Sequence, residues 1–302
     1  MSVVADVPFA GNSTRYDYID IDRDHAHLIV AHMNDGNVVV ANLSDGSIAK
    51  VVPNVPTARG IVVASEAGVF FVTSSPNQLV AVDTTTLAEV RRVTTGNGPD
   101  GVGWDAKDQI VATSDQSDGA ISLIASAGTG ARTQVKLGTE TGNVVYDAPR
   151  AVFWITVVGP TKPDRLVAVD PIAQKATITI PIQGCDGAHG LRIHPNGGSA
   201  LVACEDNDKL ARVDLASHEV SLGSTGSGPD VLSIDPGLGW LYVAAESGDL
   251  TVFDLNKPGV VLVGHDSPGG NSHTVAVDPV THRVFFPLVK GPTLRIMKPA
   301  GI

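Results

Sequence analysis

At one recurring point of a repeated phrase stand Asp17, Arg59, Asp100, Gly142 followed by Asn143, His189, Asp230 and His273. A structural position at the start of an inner strand needs only small or polar residues, so this concentration of ionisable groups exceeds what structure demands. Imidazole nitrogen and carboxylate oxygen together suit a divalent cation such as zinc, manganese, magnesium or calcium. Asp100, His189, Asp230 and His273 are the expected metal ligands. An open coordination position holds a water or a substrate carbonyl while a neighbouring base completes the chemistry, which makes His189, His273 and Glu205 the candidate catalytic groups. Without a metal, Arg59 offers its planar fork to a carboxylate-bearing ligand. Asp17, Asn143, His32 and Glu246 are further ligand contacts in either case. A third use needs no ligand, because the same acids and histidines can pair with Arg59 or with water as a hydrated ion-pair ring.

Residues about 42 positions apart meet only if the chain repeats, and this chain does so with a period in the propeller range. The clearest copy runs over residues 186–215. Gly187-Ala188-His189-Gly190 leads into an apolar run, a turn at Pro195-Asn196-Gly197-Gly198, a second apolar run, an acidic loop and a third run ending in Val213-Asp214-Leu215. That is strand, tight turn, strand, loop, strand. Seven such units start near residues 16, 56, 98, 142, 186, 228 and 272. The expectation is an all-β chain forming one domain over residues 1–302, a seven-bladed β-propeller of four-stranded antiparallel blades. The seventh unit stops after its third strand, Leu294-Arg295-Ile296-Met297, while residues 3–9 have no unit of their own. Residues 3–9 therefore supply the outer strand of the last blade and close the ring.

In a propeller the innermost strand starts at one mouth of the axial channel, and the antiparallel second strand ends at that same mouth. The first set of residues above comes from the strand-one starts. The strand-two ends contribute His32, Thr73, Thr113, Thr156, Cys204 and Ala245, with Asp115, Glu205 and Glu246 at or just beyond them. Both sets are expected to share one funnel.

Bulk properties narrow the function classes. The formal charge is −11, and the 21 Lys and Arg are scattered, so no basic track exists for a phosphate backbone. No apolar run approaches the ~18 residues of a membrane span, and the first ten residues lack the basic start and apolar core of a signal peptide. The expected partner is a small molecule in the funnel of a monomer, with neither nucleic acid nor membrane. The compartment is periplasmic or extracellular if a signal was removed, and otherwise cytoplasmic.

The recurrent Gly98-Pro99-Asp100 and Gly228-Pro229-Asp230, the third-strand endings Val169-Asp170 and Phe253-Asp254-Leu255, and the phrases Leu241-Tyr242-Val243-Ala244 and His273-Thr274-Val275-Ala276-Val277-Asp278-Pro279 resemble the YVTN (YncE-like) β-propeller family of bacteria. The likeness covers nearly the whole chain. It implies the propeller fold and no particular reaction. More distantly similar are streptogramin lyase and the lactonase-type propellers, whose resemblance implies metal-dependent ring opening or hydrolysis of cyclic esters. No catalytic residue is carried over from them. Two functions from different classes follow: metal-assisted turnover or binding of a small molecule in the funnel, as a lactonase-like hydrolase or a lyase, and a non-catalytic platform for protein interaction or ligand sensing.

Other tempting residues read as punctuation or packing. Asp22, Asp105, Asp147, Asp235 and Asp278 recur at first turns, where aspartate bonds its own backbone. Cys185 and Cys204 approach the same mouth. They suit a disulfide in an oxidising compartment, a soft-metal pair beside His189, or two buried thiols.

Overall fold

The computed structural model describes residues 1–128, 131–161 and 163–301. Seven separate four-stranded antiparallel sheets stand in a ring, and the innermost strands of successive blades touch all the way round, the first meeting the last. Inner strands begin at Ile19, Ile61, Pro99, Glu140, Ala188, Pro229 and Ala276. The closing strand is Ser2–Pro8, which pairs antiparallel with Thr293–Lys298 from Ser2 opposite Lys298 to Pro8 opposite Thr293. The seventh blade is thus stitched from both ends of the chain, as the unpaired apolar segment at residues 3–9 predicts.

Each blade packs face to face on its neighbours, so its middle strands are covered on both sides. Val69–Ser74 and Ser199–Cys204 are buried at every residue, and they read as continuous apolar runs instead of alternating ones. Outer strands have one neighbour fewer and stay wet, as Lys175–Pro181 shows. The hydrophobic core is accordingly a set of layers between blades. One layer joins Trp154 and Ala168 of blade four to Ala200 and Val202 of blade five, and another joins Ile19 and Leu28 of blade one to Phe285 and Leu294 of blade seven.

The first-turn aspartates hold the mouth opposite the funnel. Asp105 Oδ1 accepts the N–H groups of Lys107 and Asp108, and Asp235 Oδ1 those of Gly237 and Leu238. Two also clasp the next blade, since Arg23 reaches Asp278 at 2.6 Å and His282 reaches Asp235 at 2.7 Å. A disulfide joins Cys185 to Cys204. It ties the loop before the inner strand of blade five to the end of its second strand, and it leaves no free thiol for a soft metal.

Candidate functional site

A repeated backbone irregularity aims the ring. In blades three to six the pairing of the inner strand with the second strand slips between Pro99 and Val102, Thr141 and Val144, Ala188 and Leu191, and Pro229 and Leu232. Asp100, Gly142, His189 and Asp230 sit in those slips. A bulge of this kind bends the strand and turns a side chain off the sheet, and here it turns the side chain toward the axis. Asp17, Arg59 and His273 occupy the same register before Ile19, Ile61 and Val275. The following position must let the next blade approach. A Cβ on Gly190 would stand 1.9 Å from the carbonyl oxygen of Asp230, and one on Gly60 would stand 2.2 Å from that of Asp100.

Read round the ring, the position runs Asp17, Arg59, Asp100, Gly142, His189, Asp230, His273, with acids and bases in alternation. Arg59 Nη1 lies 3.5 Å from Asp100 Oδ1 and donates to Gln116 Oε1 at 3.1 Å. His189 Nε2 lies 3.5 Å from Asp100 and 3.7 Å from Asp230. His273 Nε2 lies 3.7 Å from Asp17. Arg15 Nη2 stands over the other side, 2.6 Å from Glu246, 3.7 Å from Asp230 and 3.9 Å from Asp17. Arg15, Asp17, Met33, Arg59, Asp100, Gln116, His189, Glu205 and Asp230 line a cavity of about 350 Å³. Met33 is its one apolar side chain.

The ring is buried, with Asp17, Asp100, Asp230 and His273 between 1% and 5% exposed. Desolvation therefore acts on Asp100, Asp230, His189 and His273. Burial raises the Asp100 carboxyl and lifts Asp230 to about 6, against the pull of the nearby His189. Burial also pulls His189 down, but Asp100, Asp230, Glu205 and Asp17 together outweigh it and leave the imidazole above its ordinary value. His273 behaves alike, with Asp17, Asp230 and Glu246 opposing burial. Beneath them lies Tyr18, whose burial raises its phenol well above the usual range. The Asn143 amide donates to its hydroxyl.

One part of the ring has the donor set of a cation site. Asp17, Asp230 and His273 each offer a ligand atom, and the three atoms lie within 4.8 Å of one another. Such a triangle surrounds a point close to the roughly 2.0–2.6 Å bonds of divalent cations. Asp230 Oδ1 and His273 Nε2 are buried with no hydrogen-bond partner, as is Asp100 Oδ2 nearby. Asp230 Oδ1 and Asp100 Oδ2 face His189 Nε2 only at ion-pair distance, 3.7 and 3.5 Å. Buried groups without hydrogen bonds are costly, and a cation between Asp17, Asp230 and a deprotonated His273 would satisfy the groups of that triangle.

No protein-family model matches the chain, and no curated protein sequence matches it. Solved structures do resemble it. A chain of hydrazine synthase from Kuenenia stuttgartiensis superposes with a TM-score of 0.81 at 12% identity, covering 94% of this chain and 95% of that one. A chain of the mitotic checkpoint complex gives 0.81 at 10% identity, covering 99% of this chain and 92% of that one. The shared feature is the fold. This chain is a seven-bladed β-propeller.

The structure regroups the sequence-predicted residues. Asp100, His189 and Asp230 form a contiguous chain of contacts, and His273 joins it from the Asp230 side. Asp17, expected as a ligand contact, completes the metal-type triangle, whereas Asp100 and His189 stand beside it. Arg59 and Glu205 line the cavity, and Glu246 flanks it through Arg15. Asn143 lies below, turned to Tyr18. His32 does not reach the cavity, and its place there is corrected. Ala31 donates to Tyr18 O, and His32, one residue on, faces the opposite side of the strand. Its ring is fully buried, stacks on Tyr16 at 4.1 Å and hydrogen-bonds Thr14 at 2.9 Å. The same alternation puts Cys204 and Ala245 inside their blades.

The true second-strand contributors are one residue further. Gln116, Glu205 and Glu246 each donate a backbone N–H to Gly98, Gly187 and Gly228 at 2.7–2.9 Å, which fixes them at the rim. Met33 is their equivalent in blade one. Applying the position of Glu205 to every unit would have found Gln116 and Met33. Arg15 stands two residues before Asp17, where other units have Gly98, Gly187 and Gly228, so the repeat gave no signal for a long side chain there. Thr73 and Thr156 are blade-to-blade ties, donating to the backbone oxygens of Asp100 and His189 at 2.6 and 2.8 Å.

Proposed function

We propose that the axial funnel binds one divalent cation through Asp17, Asp230 and His273, and on it a small, oxygen-rich ligand. The observation that carries this reading is the triangle of ligand atoms offered by Asp17, Asp230 and His273, two of which residues, Asp230 and His273, also have a buried side-chain atom without a hydrogen bond. The cavity beside it supports a polar ligand about the size of a cyclic ester, since a single thioether interrupts its polar lining. The reaction class we favour is hydrolysis of such an ester. The cation would polarise the ring carbonyl. His189 or Glu205 would take a proton from water as its oxygen adds to the carbonyl carbon, and would return it to the ring oxygen as the acyl C–O bond breaks. Arg59, fixed between Asp100 and Gln116, would hold an anionic substituent. The blade phrases support kinship with the YVTN propellers, which bears on fold and leaves the reaction to these residues.

Calorimetric titration of the metal-stripped protein with Mn²⁺, Zn²⁺, Mg²⁺ and Ca²⁺ tests this reading. One equivalent of at least one ion should bind the wild type, and His273→Ala and Asp230→Asn should each lose it while remaining folded by circular dichroism. If no ion binds the wild type, or both variants bind as it does, the cation-centred reading is wrong. Lactones are the first substrates to screen with the loaded protein.

A further inference from the structure

The connection between the closing strand and blade one places a guanidinium over the same carboxylates. Arg15 Nη2 lies 3.7 Å from Asp230 Oδ2 and 3.9 Å from Asp17 Oδ1, two of the three proposed ligands, and makes its shortest contact, 2.6 Å, with Glu246. The side chain is one-third exposed, whereas Asp17 and Asp230 are almost covered. Arg15 therefore stands between the buried acids and solvent. Its backbone is anchored independently of them. Thr14 donates to Asp35 at 2.6 Å and Asn12 N to the same carboxylate at 2.8 Å, while Tyr16 stacks on His32. The arm is fixed at its base and ends in a long side chain already paired with Glu246.

We propose that Arg15 is a tethered counter-ion of the funnel, held on Glu246 close enough to Asp17 and Asp230 to compete with a divalent cation for them. This rests on the cation-centred reading above. A guanidinium and a divalent ion cannot both neutralise the same two carboxylates, because they would stand a few ångströms apart with like charge, a repulsion that a partly hydrated rim only reduces. Arg15 thus lowers the affinity for the ion. It also prevents the clustered acids from facing one another uncompensated. Glu246 then has a defined role as the carboxylate that holds the arginine over the funnel, and it need not touch the ligand. The His32, Thr14 and Asp35 cluster acquires one as well, as the anchor that keeps the arm over the funnel.

The test is a titration of the full chain with Mn²⁺ alone, comparing wild type, Arg15→Gln and Arg15→Lys at one ionic strength. Removing the charge should tighten the dissociation constant by about tenfold, the effect of one like charge a few ångströms from the ion at a wet site, with one equivalent still bound. Arg15→Lys keeps the charge and should stay within about twofold of wild type. Binding by Arg15→Gln where the wild type binds nothing measurable would support the counter-ion role and overturn the reading that the wild type itself holds an ion. If the wild type binds the ion and Arg15→Gln binds it equally or more weakly, the counter-ion role is wrong and the cation site stands. If neither binds, both fall.

Discussion

Asp118 shows how single residues hold the rim of this propeller. The backbone N–H of Asn97, the Gln134 amide and the Asn97 amide all donate to its carboxylate and hold it at about 2. A carboxyl held below its ordinary value stabilises the fold above that value and loses the contribution as pH falls through the folded one. Chemical denaturation across pH 4 to pH 2 should therefore show a shallower loss of stability in Asp118→Asn than in the wild type. An unchanged slope would remove Asp118 from the account of acid unfolding. At this scale the sequence was informative where side chains repeat, since six of the seven ring positions carry ionisable groups visible by alignment. It was silent on Arg15, which stands where other units have glycine, and on Tyr18, whose place in the funnel floor depends on a contact with Asn143, more than a hundred residues away.

Within each blade the inner strand does two things: it turns one residue to the axis and lets the adjacent blade come close behind it. Gly190 carries the second requirement, and Gly190→Ala would drive a methyl into the Asp230 carbonyl. Overpacking against backbone cannot be relieved by a rotamer change, so a loss of about 2–3 kcal/mol is expected in urea denaturation. A variant as stable as wild type would show that the inner strands separate easily. The blades themselves were legible as alternating apolar runs and turn residues. The register at their ends was not. The second strands do end at His32, Cys204 and Ala245, but side chains in a strand alternate with a period of two, and these last residues are buried in their blades while the next residue reaches the rim. Glu205 and Glu246 fell on the correct side because they were read just beyond the strand ends. The slips that aim Asp100, His189 and Asp230 involve one extra backbone residue each, which no hydrophobic pattern encodes.

At the scale of the molecule the ring stands or falls with its closure. The segment Ser2–Pro8 pairs with Thr293–Lys298, Arg295 grips Asp6 with two bonds of 2.7 and 2.8 Å, and Phe9 is buried against Tyr16. Truncating that anchor in Phe9→Ala should cost about 3–5 kcal/mol, the usual loss for a buried aromatic. A loss under about 1 kcal/mol, in the range of surface substitutions, would mean that closure relies on the backbone ladder alone. The intact ring brings blades six, seven and one together, and with them Asp230, His273 and Asp17. The most direct test of the central claim is anomalous diffraction from crystals of the protein grown with Mn²⁺. One peak is expected among these three side chains, at about 2.0–2.6 Å from their ligand atoms. Absence of a peak at that position in well-ordered crystals, or a peak held by other residues, would contradict it.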